Sequence, residues 1–188
     1  MAMNYSYLLT ETAQDKSWAK EALVVLGASV IIALFAPISI HLPFSPVPIA
    51  TQGHVILLLA VLLGSKRSAM AVMTYLAQGA AGLPVFSGGK AGILCLAGPT
   101  GGYLLGYVVA AYVTGFLVER SAKRTPGRAL MAMGVGNLAI YLFGLIWLSQ
   151  FIGLSSAFTL GMLPFLIGDS LKLLAGVRIL KSLRFYQG

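Results

Sequence analysis

The sequence predicts an all-α integral membrane protein with six transmembrane helices. Of its 188 residues, 58% are hydrophobic and 10% are charged, and the mean hydropathy is +0.88, whereas about a quarter of the residues in soluble domains are charged. Six largely apolar segments follow one another, and clusters of basic residues occur in every second connection between them. We expect one domain over residues 1–188, with residues 1–20 as a cytoplasmic N-terminal segment.

Prolines, glycines and basic residues bound the six predicted spans. The spans cover residues 21–40, 52–64, 68–83, 101–118, 130–148 and 158–180. Because a span needs about 20 apolar residues, the second and third are short. Pro37, Pro43, Pro46 and Pro48 remove backbone donors and fix the backbone angle φ. We therefore expect residues 36–51 to form an extended, non-helical connection.

The distribution of Lys and Arg predicts the orientation. Basic residues precede the first span, separate the second from the third and the fourth from the fifth, and follow the sixth: Lys16, Lys20, Lys66, Arg67, Arg120, Lys123, Arg124, Arg128, Arg178, Lys181 and Arg184. The other connections contain only Lys90. Since cytoplasmic flanks favour Lys and Arg, both termini are expected in the cytoplasm. This topology accounts for the net charge of +8 without nucleic acid as a partner.

Two long connections on the side with few basic residues are expected to carry function. Residues 37–52 are rich in proline and residues 79–102 are rich in glycine, yet both retain apolar side chains. Non-helical backbone at membrane depth is tolerated only where protein buries it or where it lines a cavity. Packed lids are therefore expected, although each glycine is also consistent with an ordinary turn.

Asp169 and Lys172 are the most informative residues, because they lie in a segment that is otherwise uncharged from residue 158 to residue 177. A charge in the middle of a span costs about 2.5–3.5 kcal/mol, so such residues face the interior, pair, and mark a solute or ion site. Positions three apart share a helix face. The pair can thus offer an acceptor and a donor to one internal space.

Other polar side chains within the spans indicate a pocket on the same side of the membrane. Gln52 and Gln78 adjoin the two long connections, as Asp169 adjoins the start of the last span. An amide and several amphipathic rings add to them: Asn137, Tyr75, Tyr103, Tyr107, Tyr112 and Tyr141. A small-molecule site combines aromatic walls with a few polar groups, while amides in a membrane also hold helices together.

Metal and nucleotide sites are not expected. The Gly88-Gly89-Lys90 run lacks the first glycine and the Ser or Thr of a phosphate loop. His41 and His54 have no spaced Cys, Asp or Glu partners, so packing or interfacial roles are favoured for them. Cys95 is the single cysteine, and a packing role is favoured for it.

Four motifs in order resemble the BioY family. They are PVPIATQ at residues 46–52, YLAQGAAGLPVF at residues 75–86, GPTGGYLLG at residues 98–106 and GDSLK at residues 168–172. BioY proteins are the biotin-specific substrate-binding subunits, or S components, of energy-coupling factor (ECF) transporters. The resemblance implies a six-helix S-component fold with long outer-face loops in the plasma membrane. It also implies biotin as the transported ligand, no cofactor and no enzymatic activity.

The resemblance also implies site residues. Asp169 and Lys172 occupy the family positions that contact the ureido ring of biotin, and Gln52 and Gln78 occupy polar positions of the family motifs. Apart from the resemblance, the chemistry of biotin suggests aromatic walls for its ring from Tyr75, Phe86 and Tyr103. Lys90 is a candidate partner for the valerate carboxylate, and a solvated loop lysine is the alternative.

The implied partner is an energising module with a transmembrane subunit and two ATPases. In the family, the first helix docks on this module through alanines four apart, and Ser29 here replaces one of them ahead of Ala33. The small-xxx-small spacing of Ser29 and Ala33 allows close approach of another helix, but it is equally typical of internal packing.

Alternative functions are a self-sufficient vitamin transporter, an S component for another vitamin and, with less support, an intramembrane aspartyl enzyme. That enzyme chemistry needs a second aspartate, and the other one, Asp15, lies outside the spans. The sequence shows no inverted repeat, which many self-sufficient transporters contain.

Overall fold

The protein is mostly helical, and a two-stranded hairpin follows the helix with which the described part of the chain begins. The computed structural model describes residues 18–121 and 125–183. The expectations for residues 1–17 lie outside this part of the chain, as do those for Lys123, Arg124 and Arg184.

The elements follow one another with short connections. They are α1 (Trp18–Phe35), β1 (Ser39–Ile40), β2 (Ile49–Ala50), α2 (Gln52–Leu63), α3 (Ser65–Ala80), α4 (Leu94–Ala97), α5 (Gly101–Glu119), α6 (Pro126–Ile152), α7 (Leu154–Gly161) and α8 (Leu166–Ser182). Single 3-10 turns at Ser87–Gly89 and Leu163–Phe165 lie before α4 and between α7 and α8.

Within the described residues, four segments are long and apolar enough to cross a membrane: Trp18–Phe35, Gly101–Glu119, Pro126–Ile152 and Leu154–Ser182. The structure therefore supports a multi-pass membrane protein, but it does not confirm six spans. With 12 and 16 residues, α2 and α3 are about 18 Å and 24 Å long, shorter than a hydrocarbon core of about 30 Å. Lys66 and Arg67 lie in the first turn of α3, because Gly64 alone separates it from α2.

The last predicted span, residues 158–180, is not one continuous helix. It is divided into α7 and α8 by the 3-10 turn Leu163–Phe165. Pro164 lies in this turn, and proline both lacks a backbone N–H and disfavours helical geometry in the residue before it. The break places Asp169 in the first turn of α8.

The predicted non-helical connection over residues 36–51 contains the antiparallel pair β1–β2, with Ser39 opposite Ala50 and Ile40 opposite Ile49. The Ser45 hydroxyl donates to the Leu160 carbonyl at 2.8 Å. The hairpin loop is thereby attached to the end of α7.

Small residues bring the longest helices close together. α5 and α6 form the most extensive helix pair. A β-carbon at Gly144 of α6 would collide with the Tyr103 ring, and one at Gly136 would collide with Thr114. These glycines allow side chains of α5 to pack directly on the α6 backbone.

Two carboxylates connect helices at the end of the bundle opposite the hairpin. Glu119, the last residue of α5, accepts from the Ser65 backbone N–H at 2.7 Å and from its hydroxyl at 2.6 Å. Glu21 of α1 accepts two bonds from the Arg67 guanidinium, at 2.7 and 2.6 Å. The start of α3 is thus attached to both α1 and α5.

A glycine pair tests the close packing of α5. A β-carbon at Gly115 would meet backbone atoms of Gly64 and Ser65, whereas one at Gly134 of α6 would meet open space. Gly115→Ala should lower the thermal unfolding midpoint of the purified protein, because overpacking costs about 1–3 kcal/mol. Gly134→Ala should leave the midpoint unchanged or raise it, since alanine favours a helix by about 1 kcal/mol over glycine. Equal midpoints for the two variants would contradict this packing.

Candidate functional site

A cavity of about 330 Å³ lies between the hairpin, the connection before α5, and the helices α2, α5, α6 and α8. Its volume is at the lower end of the range for small-molecule sites, about 300–1,000 Å³. Apolar and aromatic side chains dominate its wall, and a few polar groups face inward. This combination is typical of a site for a compact, largely apolar ligand with several polar atoms.

Asp169 is the acidic group of the cavity wall, and it is 9% exposed. The Tyr141 hydroxyl of α6 donates to one carboxylate oxygen, Oδ2. The Lys172 ammonium lies 3.4 Å from the other oxygen, Oδ1. Asp169 also lies in the first turn of α8, where the helix dipole favours a negative charge. A buried carboxylate with these partners is held in a fixed position and retains lone pairs for a ligand.

The structure brings Lys172 to Asp169 but not to the cavity wall. Its ammonium donates to the Ala50 carbonyl at 3.4 Å as well as to Asp169, and Lys172 is not among the residues that line the cavity. The side chain thus joins α8 to the end of β2. In this arrangement Lys172 positions Asp169 and the hairpin from behind the wall.

Gln52 lies at the start of α2, lines the cavity and is buried. Its amide nitrogen donates to the Tyr107 hydroxyl at 3.2 Å. Its amide oxygen accepts from the Tyr75 hydroxyl at 2.9 Å. Tyr75 is fully buried behind Gln52, where its hydroxyl also lies 3.0 Å from the Val85 carbonyl. This chain of bonds orients the amide before any ligand arrives.

Two predicted aromatic residues do line the cavity. Phe86 packs on Gly79, where no β-carbon would fit, and meets the Tyr75 ring edge-on with centroids 5.7 Å apart. Tyr103 donates through its hydroxyl to the Gly161 carbonyl at 2.9 Å. Tyr103 therefore forms part of the cavity wall and also holds the end of α7 in place.

Lys90 lies at the edge of the cavity and is exposed. It closes a tight turn in which the Phe86 N–H donates to the Lys90 carbonyl at 3.0 Å. Gly88 and Gly89 in this turn have φ angles of 73° and 72°, a conformation that glycine adopts without strain. The turn supplies a positive charge next to the aromatic wall.

The remaining predicted residues lie away from the cavity. The Gln78 amide donates to the Ser29 hydroxyl at 3.2 Å, between α3 and α1. Ser29 is fully buried there, and Ala33 is half-buried. Docking through the Ser29 side chain would therefore require α1 to separate from α3.

Polar and aromatic residues outside the predicted site also line the cavity, among them His54, Tyr107, Asn137 and Tyr141. The last three are among the polar residues that the sequence places inside spans, although it does not assign them to the site. His54 differs from the expectation of a packing or interfacial role. The signal that could have identified it is an ionisable residue within an apolar segment, which marks function in a membrane protein.

Comparisons with known proteins found similar sequences. The model of the BioY family matches residues 8–187. The chain is 35% identical over 166 residues to the probable biotin transporter BioY of Pyrococcus horikoshii, covering 88% of this chain and 97% of that protein. It is 39% identical over 159 residues to the biotin transporter BioY of Rhizobium etli, covering 80% and 84%.

A solved structure shares the fold. It is a crystal structure of the S component for biotin from an ECF-type ABC transporter, and it superposes with a TM-score of 0.81 at 28% sequence identity. The match covers 93% of this chain and 96% of that one. The architecture described above is therefore an S-component fold.

Proposed function

This chain belongs to the BioY family, and on that premise we propose that it binds biotin in its cavity and serves as the biotin-binding subunit of an uptake transporter. The observation that carries the proposal is the Asp169 carboxylate, buried at a helix break and facing a cavity of about 330 Å³. Relatives that the chain matches over most of its length are named biotin transporters.

The chemistry of biotin fits the polar groups of the wall. Biotin has a ureido group with two N–H donors and a carbonyl acceptor, an apolar thiophane ring and a valerate carboxylate. Asp169 can accept from a ureido N–H, while Phe86 and Tyr103 supply apolar walls. A buried site that pairs with polar ligand atoms strongly rejects analogues without them. The same wall therefore supplies both affinity and selectivity.

At the edge of the cavity, Lys90 is the proposed partner of the valerate carboxylate. It lies on the connection between α3 and α5 and lines the same cavity as Asp169 and Tyr141. Backbone N–H groups of the neighbouring glycine turn can add to its charge in binding an anion.

We further propose that the chain captures biotin at the outer face of the plasma membrane, with both termini in the cytoplasm. The described basic residues outside the site support this orientation, because they lie near helix ends away from the hairpin: Lys20, Lys66, Arg67, Arg120, Arg128, Arg178 and Lys181. Delivery would use an energising module of one transmembrane subunit and two ATPases, in line with the ECF-type transporter of the structural relative.

The first test is binding of biotin to the purified chain. Calorimetry should show saturable binding of biotin in the submicromolar range and no binding of riboflavin or thiamine, because the wall matches a cyclic urea. The isolated chain should hydrolyse no ATP. Binding of riboflavin or thiamine without binding of biotin would overturn the proposed ligand.

The chain's single cysteine can show whether biotin binds in this cavity. Cys95 is half-buried in α4 and lines the cavity. Saturating biotin should slow alkylation of Cys95 by a maleimide, measured by intact-protein mass spectrometry, because the ligand excludes the reagent. Thiamine serves as the control and should leave the rate unchanged. An unchanged rate in protein that calorimetry shows to be saturated with biotin would place the ligand elsewhere.

The contact between Asp169 and Lys172 predicts coupled effects on biotin binding. Asp169→Asn or Lys172→Met alone leaves the other, at least partly buried group without this partner, a loss that costs about 3–5 kcal/mol when the pair is fully buried. Each variant should therefore weaken biotin binding, and the double variant should lose less than the sum of the two losses. The dissociation constants of all four proteins form a double-mutant cycle. Zero coupling would show that the two side chains do not interact.

The proposed role of Lys90 predicts a difference between two ligands. Lys90→Ala should weaken biotin about tenfold and leave biotinamide, the uncharged amide of biotin, nearly unchanged, since only the carboxylate loses a charged partner. Competition binding gives both affinities. Lys66→Ala is the matched control, because Lys66 lies in the first turn of α3, away from the cavity. Equal small losses of affinity for both ligands would show that Lys90 faces solvent and does not contact the carboxylate.

A further inference from the structure

The His54 ring nitrogens are buried, and no described residue lies within hydrogen-bond distance and angle of either of them. His54 lies in the first turn of α2, lines the cavity, and its side chain is 11% exposed. Buried polar atoms in native proteins are nearly always paired, with protein, water or ligand. A cavity residue with two unpaired nitrogens therefore indicates a ligand that supplies the partner.

The position of the ring relative to Asp169 defines what that ligand must offer. His54 Nε2 lies 3.6 Å from Asp169 Oδ1, too far for a direct hydrogen bond. Tyr141 donates to the other carboxylate oxygen. An acceptor, Oδ1, and a possible donor, Nε2–H, thus stand side by side on the cavity wall.

A five-membered cyclic urea has the complementary pattern. On each side of its carbonyl, an N–H donor and the C=O acceptor point outward from neighbouring atoms along one edge of the ring. One edge of the ring can donate to Asp169 Oδ1 and accept from the imidazole N–H of His54. A neutral imidazole carries one N–H, and the tautomer with the proton on Nε2 provides it.

The alternative donor for the urea oxygen is Lys172, and its placement is less suitable. Its ammonium is directed to the Ala50 carbonyl and to Asp169, and Lys172 does not line the cavity. His54 lines the cavity next to the same carboxylate oxygen.

We propose that His54 is a ligand-contacting, specificity-determining residue that donates from Nε2 to the ureido carbonyl while Asp169 accepts from the adjacent ureido N–H. This inference rests on the proposed function, since it requires biotin to occupy the cavity.

The test compares biotin with 2-thiobiotin, which keeps both ureido N–H groups and replaces the carbonyl oxygen by sulfur, a weaker acceptor. His54→Leu should weaken biotin at least tenfold and 2-thiobiotin less than about threefold, so that the preference for biotin falls. His54→Gln, which retains an N–H donor, should restore most of the preference. Equal losses for both ligands would make His54 a structural residue only, and unchanged affinities would remove it from the site. Either result would overturn the inference.

A second measurement needs no change at His54. The chain contains two histidines. A His41→Gln variant produced with histidine labelled with nitrogen-15 therefore carries one labelled imidazole, that of His54, for NMR. Saturation with biotin should shift the Nε2–H resonance to the range of a hydrogen-bonded proton. 2-Thiobiotin should shift the same resonance less. An imidazole spectrum that biotin does not alter would contradict the inference while leaving biotin binding itself intact. If the unaltered protein binds no biotin at all, the proposed function falls, and the inference falls with it.

Discussion

The constraint on which the site depends is the burial of the Asp169 carboxylate. A charge in this environment is stable only with partners, and these come from more than one helix: Tyr141 from α6 and Lys172 from α8 itself. Lys172 in turn bonds the Ala50 carbonyl at the end of β2. One carboxylate thereby fixes the relative positions of two helices and the hairpin around the cavity.

The break between α7 and α8 gives that carboxylate its place. An uninterrupted helix through residue 164 would place Asp169 in the middle of a helix. The 3-10 turn instead puts it in the first turn of α8, where the helix dipole favours a negative charge. The broken end of α7 is supported by donors from other elements, since Tyr103 bonds the Gly161 carbonyl and Ser45 bonds the Leu160 carbonyl. Irregular backbone at membrane depth is acceptable where protein satisfies it in this way.

Local patterns predicted the parts of this arrangement that lie within one element. Hydropathy indicated a multi-pass helical protein, and the three-residue spacing of Asp169 and Lys172 predicted their contact. Contacts between elements were not predictable, because periodicity shows on which face of a helix a side chain lies but not which other element packs on that face. Gln78 accordingly meets Ser29 of α1 and not the cavity, and His54 lines the cavity. Pro164 is a sequence signal for the break, but the apolar run around it is long enough to span a membrane and favours one continuous helix.

The most direct measurement of the central claim is an experimental structure of the chain with biotin bound. The account predicts the ureido ring within hydrogen-bond distance of Asp169, the thiophane ring against Phe86 and Tyr103, and the valerate chain directed toward Lys90. Biotin bound outside this cavity, or inside it with the ureido ring remote from Asp169, would contradict the account.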